Sequence, residues 1–195
     1  MVHTLNRVLT ILKTMVGQID VLETMTPLEF LSFRDRLASA SGFESFQFRE
    51  LEFLLGQKNT AVAERFEPGS DARERLSDRL RQPSVWDCFL HFLAGHGYAV
   101  PDDLAGRDPM LPTEESEALQ TVLVEVYRGA PDLVQVCERF VDLDEGIQEW
   151  RYRHVKMVQR TIGTKRGTGG SAGAEYLITT LFRPLFPDLW AIRTR

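Results

Sequence analysis

The sequence has little cysteine. Only Cys88 and Cys137 occur among 195 residues, far apart and without a Cys-x-x-Cys pair. Disulfide-stapled secreted domains and cysteine-based zinc sites need more cysteines at closer spacing, so both classes are excluded. The cysteine content is typical of a reduced protein, and we expect a cytoplasmic location.

Long apolar runs are also lacking. No stretch approaches twenty consecutive apolar residues, so the sequence predicts no membrane span. The N-terminal residues 1–20 have no basic leader, no unbroken apolar core and no small-residue cleavage site. These residues therefore do not form a signal peptide.

Basic charge is in deficit as well. Lys and Arg number 23 against 28 Asp and Glu, which gives a formal net charge of −5. Neither this balance nor any basic block indicates a nucleic-acid partner. Alternating strand patterns and internal repeats are absent, and the 43% hydrophobic content suffices for a sizeable core. We therefore predict an all-α protein forming a single domain over residues 1–195.

What is present is helical periodicity punctuated by caps. Apolar residues recur at spacings of three and four from Val2 to Leu22, and Thr26 and Pro27 start a further helix. The first helix has no capping residue before it, a hint that a segment precedes Met1. The remaining expectations are a helix ending at Gly56, a loop over 59–70, helices over 72–81 and 85–95 with Ser84 as cap, a helix over 114–128 capped by Thr113, a long helix from 131 to Gly163, and a short helix before Pro184.

A histidine interrupts an apolar stripe in the long helix. Residues four apart share a helix face, so Trp150, His154, Val158 and Ile162 form one stripe, while Arg151 is expected on a wetter face. Neutral imidazole is a good ligand for haem iron and other metals. On spacing alone, a core histidine satisfied by one hydrogen bond is the more common situation. His91 and His96, without partners at metal-ligand spacing, are interpreted as structural.

Arg34 presents a similar choice. It shares its predicted helix face with Phe30, Phe33 and Leu37, and arginine is almost never fully buried without a partner. Its planar fork binds a carboxylate through two hydrogen bonds. That carboxylate belongs either to an Asp or Glu of another helix or to a substrate, and spacing does not decide between them.

Glycines and basic residues follow the long helix in KRGTGGSAG at 165–173. A phosphate-binding loop is excluded because the segment follows a helix and the spacing is neither G-x-x-x-x-G-K-[ST] nor G-x-G-x-x-G. The segment is either a plain surface loop or one whose hydroxyls and amides close over a polar ligand.

Three stretches together carry a family resemblance. FRDRLASASGFESFQFRELEFLLG at 33–56, WRYRHVKMVQRTIG at 150–163 and KRGTGGSAG at 165–173 closely resemble the tryptophan 2,3-dioxygenase family. VLETMTPLEF at 21–30 and FPDLWAIRT at 186–194 extend the likeness through nearly the whole chain. The resemblance implies an all-helical bundle of the indoleamine dioxygenase-like type that binds haem b and cleaves the indole C2–C3 bond of L-tryptophan with O2. The product would be N-formylkynurenine, the first intermediate of tryptophan catabolism.

The resemblance also implies roles for individual residues. His154 matches the axial ligand of the ferrous haem iron, and Arg34 matches the arginine that binds the substrate carboxylate. Thr168 matches the threonine that meets the substrate's ammonium and carboxylate groups, and Ser41 a serine near the haem edge. Phe30 stands where the family commonly has a tyrosine beside the substrate. The family also implies a homotetramer.

One family segment has no counterpart in this sequence. The distal side of the family's haem pocket is built from an upstream stretch that carries a histidine and a phenylalanine, and we expect the chain to lack this N-terminal portion. No catalytic residue is therefore assigned. Two alternatives stay open at this point: a related haem protein that oxygenates another indole, and a non-catalytic helical remnant.

Overall fold

The structure is a computed structural model that describes residues 1–37, 45–163, 178 and 181–195. Within these ranges every regular element is a helix, which confirms the predicted all-α class. The α-helices are α1 (Val2–Leu22), α2 (Pro27–Phe33), α3 (Phe46–Leu54), α4 (Thr60–Ala63), α5 (Asp71–Arg81), α6 (Val85–Gly95), α7 (Asp102–Ala105), α8 (Glu117–Gly129), α9 (Pro131–Ile162) and a C-terminal helix, Pro187–Ala191. Short 3-10 helices cover Arg34–Leu37 and Ile192–Thr194.

The chain divides into two compact units. One unit comprises residues 1–44 and 135–184, and the other comprises 45–134 and 185–195. No helix in the described ranges is both long and apolar enough to cross a membrane.

The first unit is built on α1 and α9. The buried face of α1 consists of Leu5, Leu12, Val16 and Ile19, at the three- and four-residue spacing that the sequence predicts. A Cβ placed on Gly146 of α9 would lie 2.7 Å from Leu12 Cδ2, so the two helices pack closely where the glycine has no side chain. This close approach fixes the part of α9 that leads towards His154.

Helix α2 starts where the sequence predicts, but it does not continue as an α-helix through Leu37, as the predicted helix face required. Thr26 accepts a hydrogen bond from Glu29 N and donates its own N–H to Glu29 Oε2, a complete capping box, and Pro27 occupies the first helical position. The α-helix ends at Phe33, and the chain tightens into the 3-10 helix Arg34–Leu37. Arg34 therefore lies at the junction between the two.

The second unit has an aromatic centre. Trp86 of α6 is 2% exposed, and its ring centroid lies 5.4 Å from that of Phe89 and 5.3 Å from that of Phe186. A separate apolar cluster of Phe53, Val62, Ala63, Leu76 and Leu80 joins α3, α4 and α5. Ser84 caps α6 as predicted, accepting a hydrogen bond from Asp87 N at 3.1 Å.

Two predictions in this unit are wrong. Helix α8 begins at Glu117 with Ser116 as its cap, because the Ser116 N–H is held at 2.8 Å by Asp188 Oδ1 from the far end of the chain. Thr113, the predicted cap, instead donates its backbone N–H to the carbonyl of Gly56. The segment predicted as a continuous loop contains α4, whose first turn is capped by the side chain of Asn59.

Candidate functional site

Helix α9 presents its histidine on a half-buried face. Trp150, His154, Val158 and Ile162 are all partly buried, whereas Asp144, Ile147, Arg151 and Val155 form the fully buried face one step around the helix. The expectation that Arg151 lies on a wetter face is thus wrong. Its side chain reaches inward and donates a hydrogen bond to the carbonyl of Arg183 at 3.3 Å. This backbone acceptor compensates part of the cost of enclosing the guanidinium.

The His154 ring stacks on Trp150 and makes no hydrogen bond to the described residues. Its centroid lies 5.3 Å from that of Trp150, with an angle of 8° between the ring planes, so the indole one turn earlier lies nearly parallel to the imidazole. In the part of the chain that the structure describes, neither ring nitrogen makes a hydrogen bond. Burial lowers the pKa of His154 below its usual value of 6.5, so the imidazole is neutral at pH 7. A neutral ring with an available nitrogen lone pair is the form that binds a metal ion.

The other histidines that the sequence offered are engaged locally. His91 Nδ1 lies 2.8 Å from the carbonyl oxygen of Asp87, and His96 Nδ1 lies 2.7 Å from that of Phe92, each one turn earlier on the same helix. Across the described residues no group of three or more His, Cys, Asp or Glu side chains is arranged to hold a metal ion. His154 is a candidate for a single metal–nitrogen bond, since its ring is neutral and half-buried.

The predicted substrate residues Phe30 and Arg34 lie on one helical turn. Both are half-buried, and the N–H of Arg34 donates to the carbonyl of Phe30. The Phe30 ring meets that of Phe33 edge-to-face, with centroids 5.4 Å apart and an angle of 77°. An aromatic wall beside a guanidinium suits an amino acid that carries both a flat ring and a carboxylate. Ser41 and Thr168, the other two predicted contacts, lie outside the described residues.

An ion-pair cluster ties the histidine helix to α1. Arg153, next to His154, donates hydrogen bonds to Asp20 and, at 3.0 Å, to Glu23 Oε2. Arg160, two turns further along α9, lies 3.6 Å from the same Glu23 oxygen. We refer to Asp20, Glu23, Arg153 and Arg160 as the carboxylate clamp. Sequence reasoning missed it, because its halves are about 130 residues apart and each alone reads as a solvated helix face.

Comparison with known proteins agrees with the resemblance. The sequence model described as tryptophan 2,3-dioxygenase matches residues 1–88 and 113–195. A tryptophan 2,3-dioxygenase of Herpetosiphon aurantiacus is 57% identical over 191 residues, which are 98% of this chain and 73% of that protein. One from Anaeromyxobacter sp. (strain K) is 57% identical over 97% of this chain and 71% of the relative, and one from Nocardioides sp. is 47% identical over 98% and 68%.

The chain belongs to the tryptophan 2,3-dioxygenase family. This confirms the family assignment made from the three motifs, and it does not favour the alternatives of another indole oxygenase or a non-catalytic remnant. Membership of this family of oxygenases implies a haem group, with tryptophan and O2 as substrates.

The residues of the first unit fit a haem-type ligand. Axial ligation needs a neutral imidazole on a rigid element, with apolar neighbours that limit competition from water. His154 has this protonation state, lies within the 32-residue helix α9 and is flanked along its face by Trp150 and Val158. The nearby pair of Val155, 2% exposed, and Leu181, 9% exposed, packs with Val158 as a small apolar cluster. The arrangement supports a single nitrogen ligand directed from a stable helix.

Proposed function

We propose that this chain is a haem-dependent dioxygenase that cleaves the indole C2–C3 bond of L-tryptophan with O2 to give N-formylkynurenine. The observation that carries the proposal is the His154 ring: neutral, without a hydrogen bond among the described residues, and stacked on Trp150 in a chain 57% identical to named tryptophan 2,3-dioxygenases. Both oxygen atoms of O2 enter the product, so the overall reaction needs no external reductant.

His154 is the proposed axial ligand of haem b. The haem, when bound, supplies the redox-active ferrous iron through which O2 reacts with the indole ring. The protein's role is to hold one imidazole nitrogen in a fixed orientation and to keep it unprotonated. The stacked Trp150 restricts rotation of the ring, and burial disfavours the imidazolium.

Arg34 and Phe30 are the proposed contacts for the amino-acid and indole ends of the substrate. The guanidinium fork of Arg34 pairs with the tryptophan carboxylate, and the Phe30 ring, steadied edge-to-face by Phe33, lies against the indole. We further assign Ser41 to the haem edge and Thr168 to the ammonium and carboxylate groups, by their match to the family. Their shared contribution is orientation of the substrate, which lowers the barrier by positioning rather than by proton transfer.

Haem binding is tested by reconstitution. The chain is incubated with haemin and reduced, and the Soret band and haem-to-protein ratio are measured for wild type, His154→Ala and His96→Ala. We expect the His154→Ala variant to lose most of the bound haem and, with it, the Soret band of the reduced wild-type protein. The control variant keeps both, because the His96 ring is bonded to its own helix. An unchanged spectrum in His154→Ala would refute the assignment.

The reaction is tested separately with labelled oxygen. With 18O2 and L-tryptophan, ring cleavage places two labelled atoms in the product, whereas oxygenation of another type places one. Product with a single labelled atom would replace the proposed activity by a monooxygenase.

We also propose a homotetramer in the cytoplasm. Supporting the assembly, α1 carries an exposed apolar strip beside its buried face, with Val8 39%, Ile11 59% and Met15 45% exposed. Exposed apolar stripes of this kind mark contact surfaces. The free thiols of Cys88 and Cys137 agree with a reducing compartment. Light scattering coupled to size-exclusion chromatography measures the assembly, and a monomeric mass would contradict it.

A further inference from the structure

We propose that the carboxylate clamp is a positioning device for the substrate: Glu23, through Arg153 and Arg160, sets the place of Arg34 relative to the helix that carries His154. This inference rests on the proposed function and adds to it residues that touch neither substrate nor haem. It assigns Glu23 and Arg153 as positioning residues.

The carboxylate clamp is stabilised by charges that share partners. Arg153 donates to two carboxylates at once, and its side chain is 25% exposed, while that of Glu23 is only 18% exposed. Exposed single ion pairs contribute little, but charges that share partners and are partly screened from water form a more effective network. Arg160 adds a second cation on the same Glu23 oxygen, at 3.6 Å.

Glu23 is rigidly joined to α2 by the hydrogen bonds of a short connector. Glu23 is the residue at which α1 ends, and its N–H still donates to the carbonyl of Ile19. Thr24 then bonds the Val21 carbonyl through both its N–H, at 3.2 Å, and its hydroxyl, at 2.7 Å. The N–H of Met25 donates to the carbonyl of Leu22 at 3.2 Å.

The connector ends in the capping box of Thr26, which starts α2 directly. No residue between Glu23 and Pro27 is therefore without a backbone or side-chain hydrogen bond that fixes it. A displacement of Glu23 is transmitted through this connector to Phe30 and Arg34, which lie on the following turns.

The arginines of the carboxylate clamp lie on either side of His154 along α9. Arg153 precedes His154 in sequence, and Arg160 lies seven residues beyond Arg153, on the same helix face two turns away. The clamp thus contacts α9 on both sides of the histidine. Glu23 ties the proposed iron ligand and the proposed carboxylate-binding arginine into one frame. Positional errors of about 1 Å between such groups are enough to reduce turnover ~100-fold.

The test compares two ligands on the haem-loaded protein. Dissociation constants of L-tryptophan and of tryptamine, which lacks the carboxylate, are measured by calorimetry for wild type, Arg34→Gln and Glu23→Gln. We expect Glu23→Gln to weaken L-tryptophan binding roughly 3- to 10-fold and tryptamine binding by a clearly smaller factor, because tryptamine keeps the Phe30 contact but has no carboxylate for Arg34. General loosening of the fold would weaken both ligands alike.

The matched control is Asp142→Asn. Asp142 pairs with Arg139 at 2.9 Å on the same helix, so its removal deletes an equal charge without loosening any link between helices. The two ligands should keep their wild-type ratio in this variant. Circular dichroism confirms that each variant is folded. Should Glu23→Gln not fold, Arg153→Met carries the test, because methionine keeps the unbranched stem but removes the Nη2 donor that both carboxylates share.

A double-mutant cycle separates the inference from the function on which it rests. If the clamp acts through Arg34, Glu23→Gln has no further effect on L-tryptophan binding in the Arg34→Gln background. A wild-type ligand ratio in Glu23→Gln, with Arg34→Gln strongly affected, overturns the inference alone. Failure of the wild-type chain to prefer L-tryptophan over tryptamine overturns the proposed role of Arg34 and the inference with it.

Discussion

Lys58 closes the end of α5, and its removal should cost the protein much of its stability. Its ammonium Nζ donates to three backbone carbonyls, at 2.7 Å to Arg79, 3.1 Å to Leu80 and 2.8 Å to Gln82. The residue is 5% exposed. The three donors thereby meet carbonyls at the C-terminal end of α5, where the helix dipole favours a cation, and the carbonyl of Arg79 also accepts from the N–H of Gln82.

The charge state decides how large the effect is. Burial lowers the pKa of Lys58 to about 8, opposed by the nearby carboxylate of Asp87 and assisted by two guanidinium groups. Because this pKa lies above 7, the ammonium remains the main form at neutral pH. Lys58→Met keeps the stem but leaves the carbonyls of Leu80 and Gln82 without their donor, each at about 1–3 kcal/mol, whereas the carbonyl of Arg79 keeps the N–H of Gln82. Relief from burying a charge offsets part of that cost. We expect a net loss of about 3 kcal/mol.

Urea unfolding followed by circular dichroism at pH 7 measures the loss. With a slope of about 1–3 kcal/mol per molar urea, the midpoint should fall by ~1–3 M. Lys13→Met, at an exposed position of α1, serves as the control and should change stability by less than ~0.5 kcal/mol. A loss below ~1 kcal/mol in Lys58→Met would mean that water satisfies the carbonyls that Lys58 leaves and would refute the reasoning.

Two further substitutions probe the second unit. Gly56 has φ +100°, and a Cβ at this position would lie 2.4 Å from Thr113 Oγ1. Gly56→Ala should therefore lower the free energy of unfolding by about 2–4 kcal/mol in the same urea assay. A loss under ~1 kcal/mol would show that the Thr113 side chain moves aside freely. Burial raises the pKa of Asp188 above 3.8, so the stability this group contributes is full below that value and is lost as pH rises through the folded pKa. Asp188→Asn keeps an oxygen acceptor for Ser116 N and Gln120 Nε2. This variant should therefore gain stability relative to wild type as the pH of the urea titration is raised from 3 to 8. A difference in stability that does not change with pH would contradict the raised pKa.

Local signals predicted most of the helices. The caps at Thr26 and Ser84 and the positive-φ glycines at 56 and 163 are encoded within a few residues of the elements they bound, so periodicity and capping found them. The start of α8 was misplaced because Thr113 and Ser116 are both good cap residues, and the choice of Ser116 is supported by Asp188, 72 residues away. A local window of sequence shows both candidates but not the distant contact.

The candidate site divides in the same way. The stripe of Trp150 and His154 followed from helical spacing, but the inward turn of Arg151 did not, since its carbonyl acceptor lies 32 residues away. The clamp is a purely tertiary feature, because Glu23 and Arg153 become neighbours only when α1 packs on α9. The assignment of His154 to haem came from the family motifs, as periodicity alone favoured a core histidine.

The contacts at the base of the segment between α6 and α8 have a consequence for engineering. Asp87 at the start of α6 binds Arg107 Nε in a salt bridge with side chains 5% and 11% exposed, and Arg107 also donates to the carbonyl of Pro112 at 2.8 Å. The stretch from Asp87 to Pro112, which contains most of α6, is thus joined at its two ends through Arg107. Gly97 lies within this stretch, two residues after α6, is exposed, has φ +88° and would have no atom within 4 Å of an added Cβ. A peptide tag or a fluorescent reporter inserted at Gly97 would lengthen an exposed turn, where lengthening carries a small entropic cost, and the contacts of Arg107 would still hold the two ends of the stretch together.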